Sequence, residues 1–169
     1  MVYTTQYGSP IGQLWLASDG ERLIGLWMEG QKYFGASAPG VWVPKDDLPV
    51  FAQIKAWLDD YFAGGRPALS GLPLALHGSA FRKMVWAVLC EIAYGQTTTY
   101  GQIAQAVARR MKRRGDGGML SRAVGGAVGH NPVSIIVPCH RVLGSDGGLT
   151  GYAGGLERKV HLLALEGAR

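Results

Sequence analysis

Apolar and polar residues alternate in the first part of the chain. The segments "MVYTTQY" and "QLWLASD" flank the turn sequence "GSPIG", and "RLIGLWM" follows a second turn sequence, "SDGE". Alternation between turn-forming residues is typical of β-strands that bury one face. The pattern therefore predicts three antiparallel strands.

The apolar spacing then changes to that of a helix. Within "VWVPKDDLPVFAQIKAWLDDYFAGG" the apolar residues recur three or four positions apart, and Gly64 follows as a stop signal. The stripe consists of Leu48, Phe51, Ile54, Leu58 and Tyr61. We predict a helix here, and we interpret the Pro- and Gly-rich segment "GRPALSGLPLALHG" that follows as a linker between two domains.

The second half of the chain has mainly helical patterns. Ser79 can cap a first helix that carries Cys90 as a core residue and stops at Gly95. A second helix begins near Thr99, and a third covers "LSRAVGGAVGHN".

A strand, "VSIIV", a Gly-rich hairpin, "VLGSDGGLTGY", and a last helix, "GLERKVHLLALEG", follow. Helix, turn, helix and a short β-ribbon form the layout of a winged helix-turn-helix. The predicted fold class is α+β, with a small N-terminal antiparallel sheet and a helix in residues 1–78 and a winged helix-turn-helix in residues 79–169.

The third helix of the second half is unusually rich in glycine. Val124 and Val128 form a stripe that can face a core, whereas Arg122 shares another sector only with glycines. These glycines are Gly125, Gly126 and Gly129. A face almost without side chains lets a partner approach the backbone closely, and that partner is either another helix or DNA.

Charge is distributed unevenly along the chain, whose formal net charge is +5. Residues 1–79 contain five Lys and Arg against seven Asp and Glu, and residues 80–169 contain twelve against five. The basic second half is typical of a protein that meets a polyanion, most often nucleic acid, although a basic surface that only keeps the protein soluble has the same composition.

Several classes of protein are disfavoured by the composition. The two cysteines, Cys90 and Cys139, make no disulfide framework, and the four histidines show no metal-site spacing with them. The sequence contains no segment typical of a signal peptide or a membrane span. We therefore expect a cytoplasmic protein with reduced thiols and without a bound metal.

The segment "SIIVPCHRVLGSDG" places Cys139 directly beside His140. A cysteine reacts as its thiolate, histidine is the usual proton acceptor, and a carboxylate commonly orients the histidine. Neighbours on a strand point to opposite faces, so the pair cooperates only if the chain turns here or if a water lies between them. Glu166 could supply the carboxylate, although a buried cysteine is often only a small apolar residue.

Four segments together resemble one family, the O6-alkylguanine-DNA alkyltransferases. They are "NPVSIIVPCHRV", "RAVGGAVGHN", "TGYAGG" and the terminal "LLALEG". The resemblance is strongest between Ser79 and Gly167 and looser in the N-terminal half, where "SPIG" and "GQKYF" look like the short bacterial members. It implies a ribonuclease-H-like N-terminal domain and irreversible, stoichiometric transfer of an alkyl group from O6 of guanine in DNA to a cysteine.

The resemblance also implies the roles of individual residues. Cys139 corresponds to the alkyl acceptor, His140 to its base acting through a water, and Glu166 to the carboxylate that holds the histidine. Asn131 corresponds to the asparagine that braces the turn before the active-site loop. Tyr100 corresponds to the tyrosine that hydrogen-bonds the flipped guanine.

Further positions match the family's substrate and DNA contacts. The backbone carbonyl of Val142 would accept from the exocyclic amine of the base, while Tyr152 and Ala153 would lie on the loop that closes over it. Arg122 corresponds to the residue that fills the gap left by the flipped nucleotide. The remaining expected DNA contacts on the same helix are Ala123, Gly125, Gly126, Ala127 and Gly129. The implied partner is double-stranded DNA that contains O6-alkylguanine, bound by a monomer without cofactor or metal.

One segment departs from the family's usual pattern. Between Tyr100 and Arg122, where many members have a short connection, the chain carries the basic insertion "ARRMKRRGDGGML". Its charged residues are Arg109, Arg110, Lys112, Arg113 and Arg114. They are interpreted either as phosphate contacts or as a solvated basic helix end.

Two other functions are compatible with parts of the pattern. One is a non-catalytic DNA-binding module of the same fold. It is disfavoured because the lesion sensors that resemble this family lack the reactive cysteine, whereas this chain has Cys139. A thiol hydrolase that uses Cys139, His140 and Glu166 would differ by repeated turnover.

Overall fold

The chain divides into two units. The computed structural model describes residues 1–112 and 117–169, with the backbone alone for residues 117–119. The first unit comprises Met1–His77 together with Pro132–Ile136, and the second comprises Gly78–Asn131 together with Val137–Arg169.

The predicted strands form the sheet of the first unit. They are β1 (Val2–Ser9), β2 (Gly12–Ser18) and β3 (Leu23–Met28), and the two pairings β1–β2 and β2–β3 are antiparallel. The prediction of three antiparallel strands is confirmed. A fourth strand, β4 (Trp42–Pro44), pairs in parallel with β1, giving the order β3-β2-β1-β4. Sequence reasoning missed β4 because three residues are too short to show a period.

The helix of the first unit follows the predicted stripe. Helix α1 spans Pro49–Phe62, with Leu48 at its N-cap and Pro49 in its first turn, where a missing N–H costs nothing. The apolar residues of the stripe that lie within the helix are buried. Gly64 has φ of +90°, which is the left-handed conformation expected just beyond a helix end.

The second unit contains four helices among the described residues. They are α2 (Ala80–Leu89), α3 (Tyr100–Arg110), α4 (Gly117–Gly129) and α5 (Leu156–Leu165). Helices α3 and α4 pack against each other, as expected for the two helices of a helix-turn-helix. The predicted α+β fold is confirmed. Helix α2 ends at Leu89, with Cys90 as its C-cap, and so stops before the predicted position at Gly95.

Side-chain caps explain where two of these helices begin. The Ser79 hydroxyl accepts a hydrogen bond from the Arg82 amide at the start of α2. At the start of α3, Thr99 and Gln102 form a reciprocal capping box. Both starts agree with the sequence prediction, and the second fixes Tyr100 as the first residue of α3.

The predicted strand "VSIIV" is wrong. Val133 makes an isolated bridge to Leu26, and the chain then turns through Ile135, whose φ is +72°. A run of β-branched residues has high strand propensity, but Pro132 and Pro138 bracket this one and limit it to a turn. The left-handed conformation of a β-branched residue is strained, and it directs the chain towards the cysteine segment.

The predicted Gly-rich hairpin is also wrong. Strand β6 (Val142–Leu143) pairs in parallel with β5 (Thr98–Thr99), the segment just before α3. The glycines that follow form a tight turn in which the Gly144 amide donates to the Gly148 carbonyl. The pairing with β5 brings the cysteine segment beside the start of α3.

No helix among the described residues is both long enough and apolar enough to cross a membrane.

Candidate active site

A single turn of 3₁₀ helix, Cys139–Arg141, carries the cysteine segment. Pro138 precedes it with φ of −83° and ψ of 64°, which takes the chain out of an extended conformation. All three side chains of the turn are buried, and His140 is completely so. The chain therefore turns at the point where cooperation between Cys139 and His140 requires it.

His140 and Glu166 are in direct contact. The Nε2 atom of His140 lies 2.6 Å from Oε2 of Glu166, which is the C-cap residue of α5. Because a carboxylate can only accept, Nε2 carries the proton and Nδ1 has the free lone pair. Nδ1 is buried and has no hydrogen-bond partner among the described residues.

Burial sets the protonation of Cys139 and His140. It raises the pKa of the Cys139 thiol, against the opposing effects of the Asn131 and Tyr152 side chains and of the Lys159 charge. Burial also lowers the pKa of His140, although its bond to Glu166 acts in the opposite direction. The site at rest therefore pairs a neutral thiol with a neutral imidazole that can accept a proton.

Asn131 joins the end of α4 to the cysteine segment. It is buried, and its Nδ2 atom donates to the Val137 carbonyl at 2.8 Å. Its side chain also hydrogen-bonds Cys139, which favours the thiolate. Asn131, which the resemblance placed as the brace of this turn, thus contacts both Val137 and Cys139.

Sequence reasoning missed Lys159. This lysine is completely buried, and its Nζ atom donates to the carbonyls of Val142 at 2.5 Å, Gly151 at 3.1 Å and Thr150 at 3.3 Å. Its burial lowers its pKa, an effect opposed by Cys139. A lysine on the same helical face as Leu162 and Leu163 is the signal that could have identified it, since a lysine is rarely buried without partners.

Sequence reasoning also missed Arg141. Its guanidinium donates from Nε to Oε1 of Glu166 at 2.8 Å and from Nη2 to Oε2 at 3.1 Å, while Nη1 donates to the Ile92 carbonyl at 2.6 Å. The signal in the sequence is a charged residue within the otherwise apolar run around Cys139, because a buried charge needs a partner.

The residues expected to contact the base lie around the cysteine. Tyr100 is half-buried, and its pKa is raised by burial and by Cys139; its hydroxyl lies 3.5 Å from the Thr150 carbonyl. Tyr152 and Ala153 follow in the same loop and are partly buried. Gly151, between Thr150 and Tyr152, has φ of +57°, and a Cβ there would lie 3.7 Å from the Tyr100 hydroxyl. The loop therefore turns tightly against the tyrosine.

Helix α4 has one exposed strip and one buried strip. Arg122, Ala123 and Gly126 are exposed, and Gly125 and Gly129 are partly so. A Cβ added at Gly125 or Gly126 would meet nothing within 4 Å. The exposed strip is thus open to a partner along its backbone.

Ala127 lies on the buried strip with Val124 and Val128. The indole of Trp86 donates to the Ala127 carbonyl at 2.8 Å, so this residue packs inside the second unit. Because Ala127 is buried, it is not available for the DNA contact that the resemblance implied. The α-helical period explains the difference, since Ala127 follows Val124 by three positions.

The basic insertion is only partly described. Arg110 forms an ion pair with Glu91, and its neighbour Arg109 is exposed at the end of α3. Lys112 is exposed as well, whereas Arg113 and Arg114 lie outside the described residues. The described residues contain no group of three or more His, Cys, Asp or Glu side chains that could hold a metal ion.

The fold and the site define a two-part α+β protein whose helix-turn-helix unit carries a buried cysteine beside a histidine–carboxylate pair. Residues 1–76 match the ribonuclease-like domain of 6-O-methylguanine DNA methyltransferase, and residues 80–168 match its DNA binding domain. The chain belongs to the 6-O-methylguanine DNA methyltransferase family, which confirms the resemblance seen in the sequence.

Relatives and solved structures match nearly the whole chain. The methylated-DNA–protein-cysteine methyltransferase of Haemophilus influenzae is 43% identical over 98% of this chain and 86% of its own length. The enzyme of the same name from Methanosarcina acetivorans is 42% identical over 99% of both chains. The crystal structure of the Mycobacterium tuberculosis OGT in complex with DNA has a TM-score of 0.82 and 40% identity, covering 98% of this chain and 93% of that chain.

Proposed function

We propose that this protein repairs DNA by transferring an alkyl group, such as methyl, from O6 of guanine to Cys139. The observation that carries the proposal is the buried Cys139 thiol beside the His140–Glu166 pair, within the unit that matches the family's DNA binding domain. The transfer is stoichiometric because the thioether it forms has no easy route back to a thiol. The enzyme is therefore a methyltransferase that acts once.

A proton must leave Cys139 when the alkyl group arrives. The free lone pair of His140 Nδ1 is the acceptor, and a water bridging Nδ1 and the sulfur supplies the path. The bond between O6 and the alkyl carbon breaks as the carbon–sulfur bond forms, and the electron pair leaves with the guanine, which takes up a proton. Glu166 stabilises the imidazolium formed at His140.

The leaving guanine is stabilised by groups around the pocket. The Tyr100 hydroxyl donates a hydrogen bond to the base. It offsets the negative charge that develops on the guanine as the bond between O6 and the alkyl carbon breaks. The carbonyls of Cys139 and Val142 accept from the exocyclic amine, and the backbone N–H of Ala153 contacts O6. Tyr152 closes the loop over the base.

The base reaches this pocket only after it leaves the duplex, and the loss of its stacking and pairing costs roughly a few kcal/mol. The exposed strip of α4, with Arg122, Ala123 and Gly126, fits a narrow minor groove because it carries few side chains. Arg122 then occupies the space that the nucleotide vacates. The exposed Arg109 and Lys112 add phosphate contacts, whereas Arg110 is engaged by Glu91.

We further propose a domain boundary between residues 78 and 79 and action as a monomer in the cytoplasm, where bacterial and archaeal DNA is found. The family matches to residues 1–76 and 80–168 support the boundary.

Replacing each cysteine by serine tests the proposed acceptor. Cys139→Ser should abolish transfer of a labelled methyl group from O6-methylguanine DNA but leave duplex affinity nearly unchanged, because the thiol makes no phosphate contact. Cys90→Ser is the matched control and should retain both transfer and affinity, since Cys90 lies at the end of α2 with a pKa raised by burial. Label on Cys90, or transfer without Cys139, contradicts the mechanism.

A further inference from the structure

Arg141 is a buried arginine that the proposed transfer does not use. Its guanidinium donates three hydrogen bonds, two to the oxygens of Glu166 and one to the carbonyl of Ile92, over distances of 2.6 to 3.1 Å. Its guanidinium carbon also lies 5.8 Å from the centre of the Tyr94 ring. Two parallel bonds to one carboxylate fix both its position and its orientation.

Glu166 accepts more bonds than the one from His140. Its Oε1 atom receives Arg141 Nε at 2.8 Å and the Gly95 amide at 3.2 Å, and its Oε2 atom receives Arg141 Nη2 at 3.1 Å as well as His140 at 2.6 Å. Gly95 adopts φ of +77°, which lets its amide reach the carboxylate. These four donors favour the charged form of the carboxylate and leave only part of its charge available to the imidazole.

We propose that Arg141 is a positioning residue of the alkyl transfer, which aims Glu166 at His140 and limits how strongly the carboxylate holds a proton on the imidazole. The inference rests on the roles proposed above for Cys139, His140 and Glu166. Without Arg141 the imidazole would remain protonated to higher pH, so a smaller fraction of it could accept the thiol proton near neutral pH.

The charges around His140 support this balance. Glu166 raises the pKa of His140, whereas burial, Arg141 and Lys159 lower it. Glu166 and Lys159 come from α5, and Arg141 from the same turn as His140. Among the described residues, the other titratable groups that face this cluster are Cys139 in the turn, Tyr94 and Tyr152, whose rings lie against Arg141 and Lys159, Cys90 at the end of α2, whose pKa Arg141 lowers, and Tyr100 on α3, whose pKa Cys139 raises. Of the two cations, Arg141 and Lys159, Arg141 is the one that also donates hydrogen bonds to the Glu166 carboxylate.

Two substitutions of Arg141 separate its charge from its geometry. Arg141→Met keeps much of the volume and removes the charge, and Arg141→Lys keeps the charge but not the two parallel bonds. The rate of transfer from free O6-benzylguanine is measured across pH, because this substrate needs no base flipping. The ¹⁵N signals of His140 are titrated in the same variants, as a measurement that does not depend on transfer. Arg22→Met, which removes an exposed arginine of the first unit, is the control.

In Arg141→Met we expect the rise of rate with pH, and the titration of His140, to move upward by about one pH unit. In Arg141→Lys we expect the midpoint to stay near that of the parent and the plateau rate to fall. Arg22→Met should match the parent. If Arg141→Met does not fold, the plateau of Arg141→Lys and its His140 signals still test the geometry.

Several results overturn the inference. They are an Arg141→Met profile that is only scaled down at every pH, a His140 titration that does not change, and an Arg141→Lys variant identical to the parent in rate and signals. Failure of the proposed function is distinguishable, because then the parent itself would not transfer the benzyl group, whereas the His140 titration would still report on Arg141.

Discussion

Lys159 contacts both sides of the proposed base pocket. Its Nζ atom bonds the carbonyl of Val142, a proposed acceptor for the base, and those of Thr150 and Gly151 on the loop that would close over it. Its charge also lowers the pKa of Cys139. A single buried side chain thus influences both the shape of the pocket and the reactivity of the thiol.

We expect Lys159→Met to slow transfer from free O6-benzylguanine roughly tenfold to a hundredfold, because the loop loses its anchor and the thiolate loses a nearby cation. In a Cys90→Ser background, the pKa of Cys139 measured by alkylation with iodoacetamide should rise. Lys83→Met removes an exposed lysine from α2 and should change neither value. An unchanged thiol pKa would show that Lys159 acts on the fold alone.

At the scale of single residues, the sequence predicted the groups that have a familiar chemistry. Cys139 and His140 are adjacent in the chain, and Glu166 was suggested as their carboxylate. Arg141 and Lys159 were missed because their function depends on burial and on backbone carbonyls from distant segments. A linear pattern contains no information about such partners until the fold brings them together.

The exposed strip of α4 makes a prediction at the scale of an element. A leucine at Gly126 would extend into open space, since a Cβ there meets nothing within 4 Å, and leucine favours a helix by up to about 1 kcal/mol over glycine. We therefore expect Gly126→Leu to preserve or raise thermal stability and to leave transfer from free O6-benzylguanine unchanged. Affinity for duplex DNA should fall by tenfold or more, which corresponds to a loss of about 1.4 kcal/mol in binding free energy.

Ala52→Leu, on the exposed side of α1, is the control and should change neither affinity nor transfer. Binding is measured by fluorescence anisotropy with an unmodified duplex. Full affinity in Gly126→Leu would mean that DNA does not approach this strip of α4.

Elements with a clear period were predictable, and those defined by long-range pairing were not. The strands β1, β2 and β3 and the starts of α2 and α3 follow from alternation and capping residues. The segment "VSIIV" has the composition of a strand, yet Ile135 turns with positive φ between two prolines. Likewise, β6 pairs with β5 rather than with its own neighbour, because Thr98–Thr99 offers a parallel edge that no local pattern reveals.

The whole molecule combines an acidic first part with a basic second part. Residues 1–79 have two more acidic than basic groups, and residues 80–169 have seven more basic than acidic groups. The sequence analysis assigned all of residues 79–169 to the second part, whereas the structure places Pro132–Ile136 in the first unit. That segment lies directly between Asn131 and the cysteine turn, so the chain leaves the second unit and returns to it within a few residues of the proposed acceptor.

The central claim is that one molecule of this protein accepts one alkyl group on Cys139. The direct test is to incubate the protein with excess duplex oligonucleotide containing O6-methylguanine, and then to measure the intact protein mass and map the modified peptide. We predict a gain of one methyl group per chain, saturating at one, located on the peptide that contains Cys139, with an equal amount of guanine restored in the DNA. Repair of more than one lesion per chain, or a methyl group located on Cys90, would contradict the account.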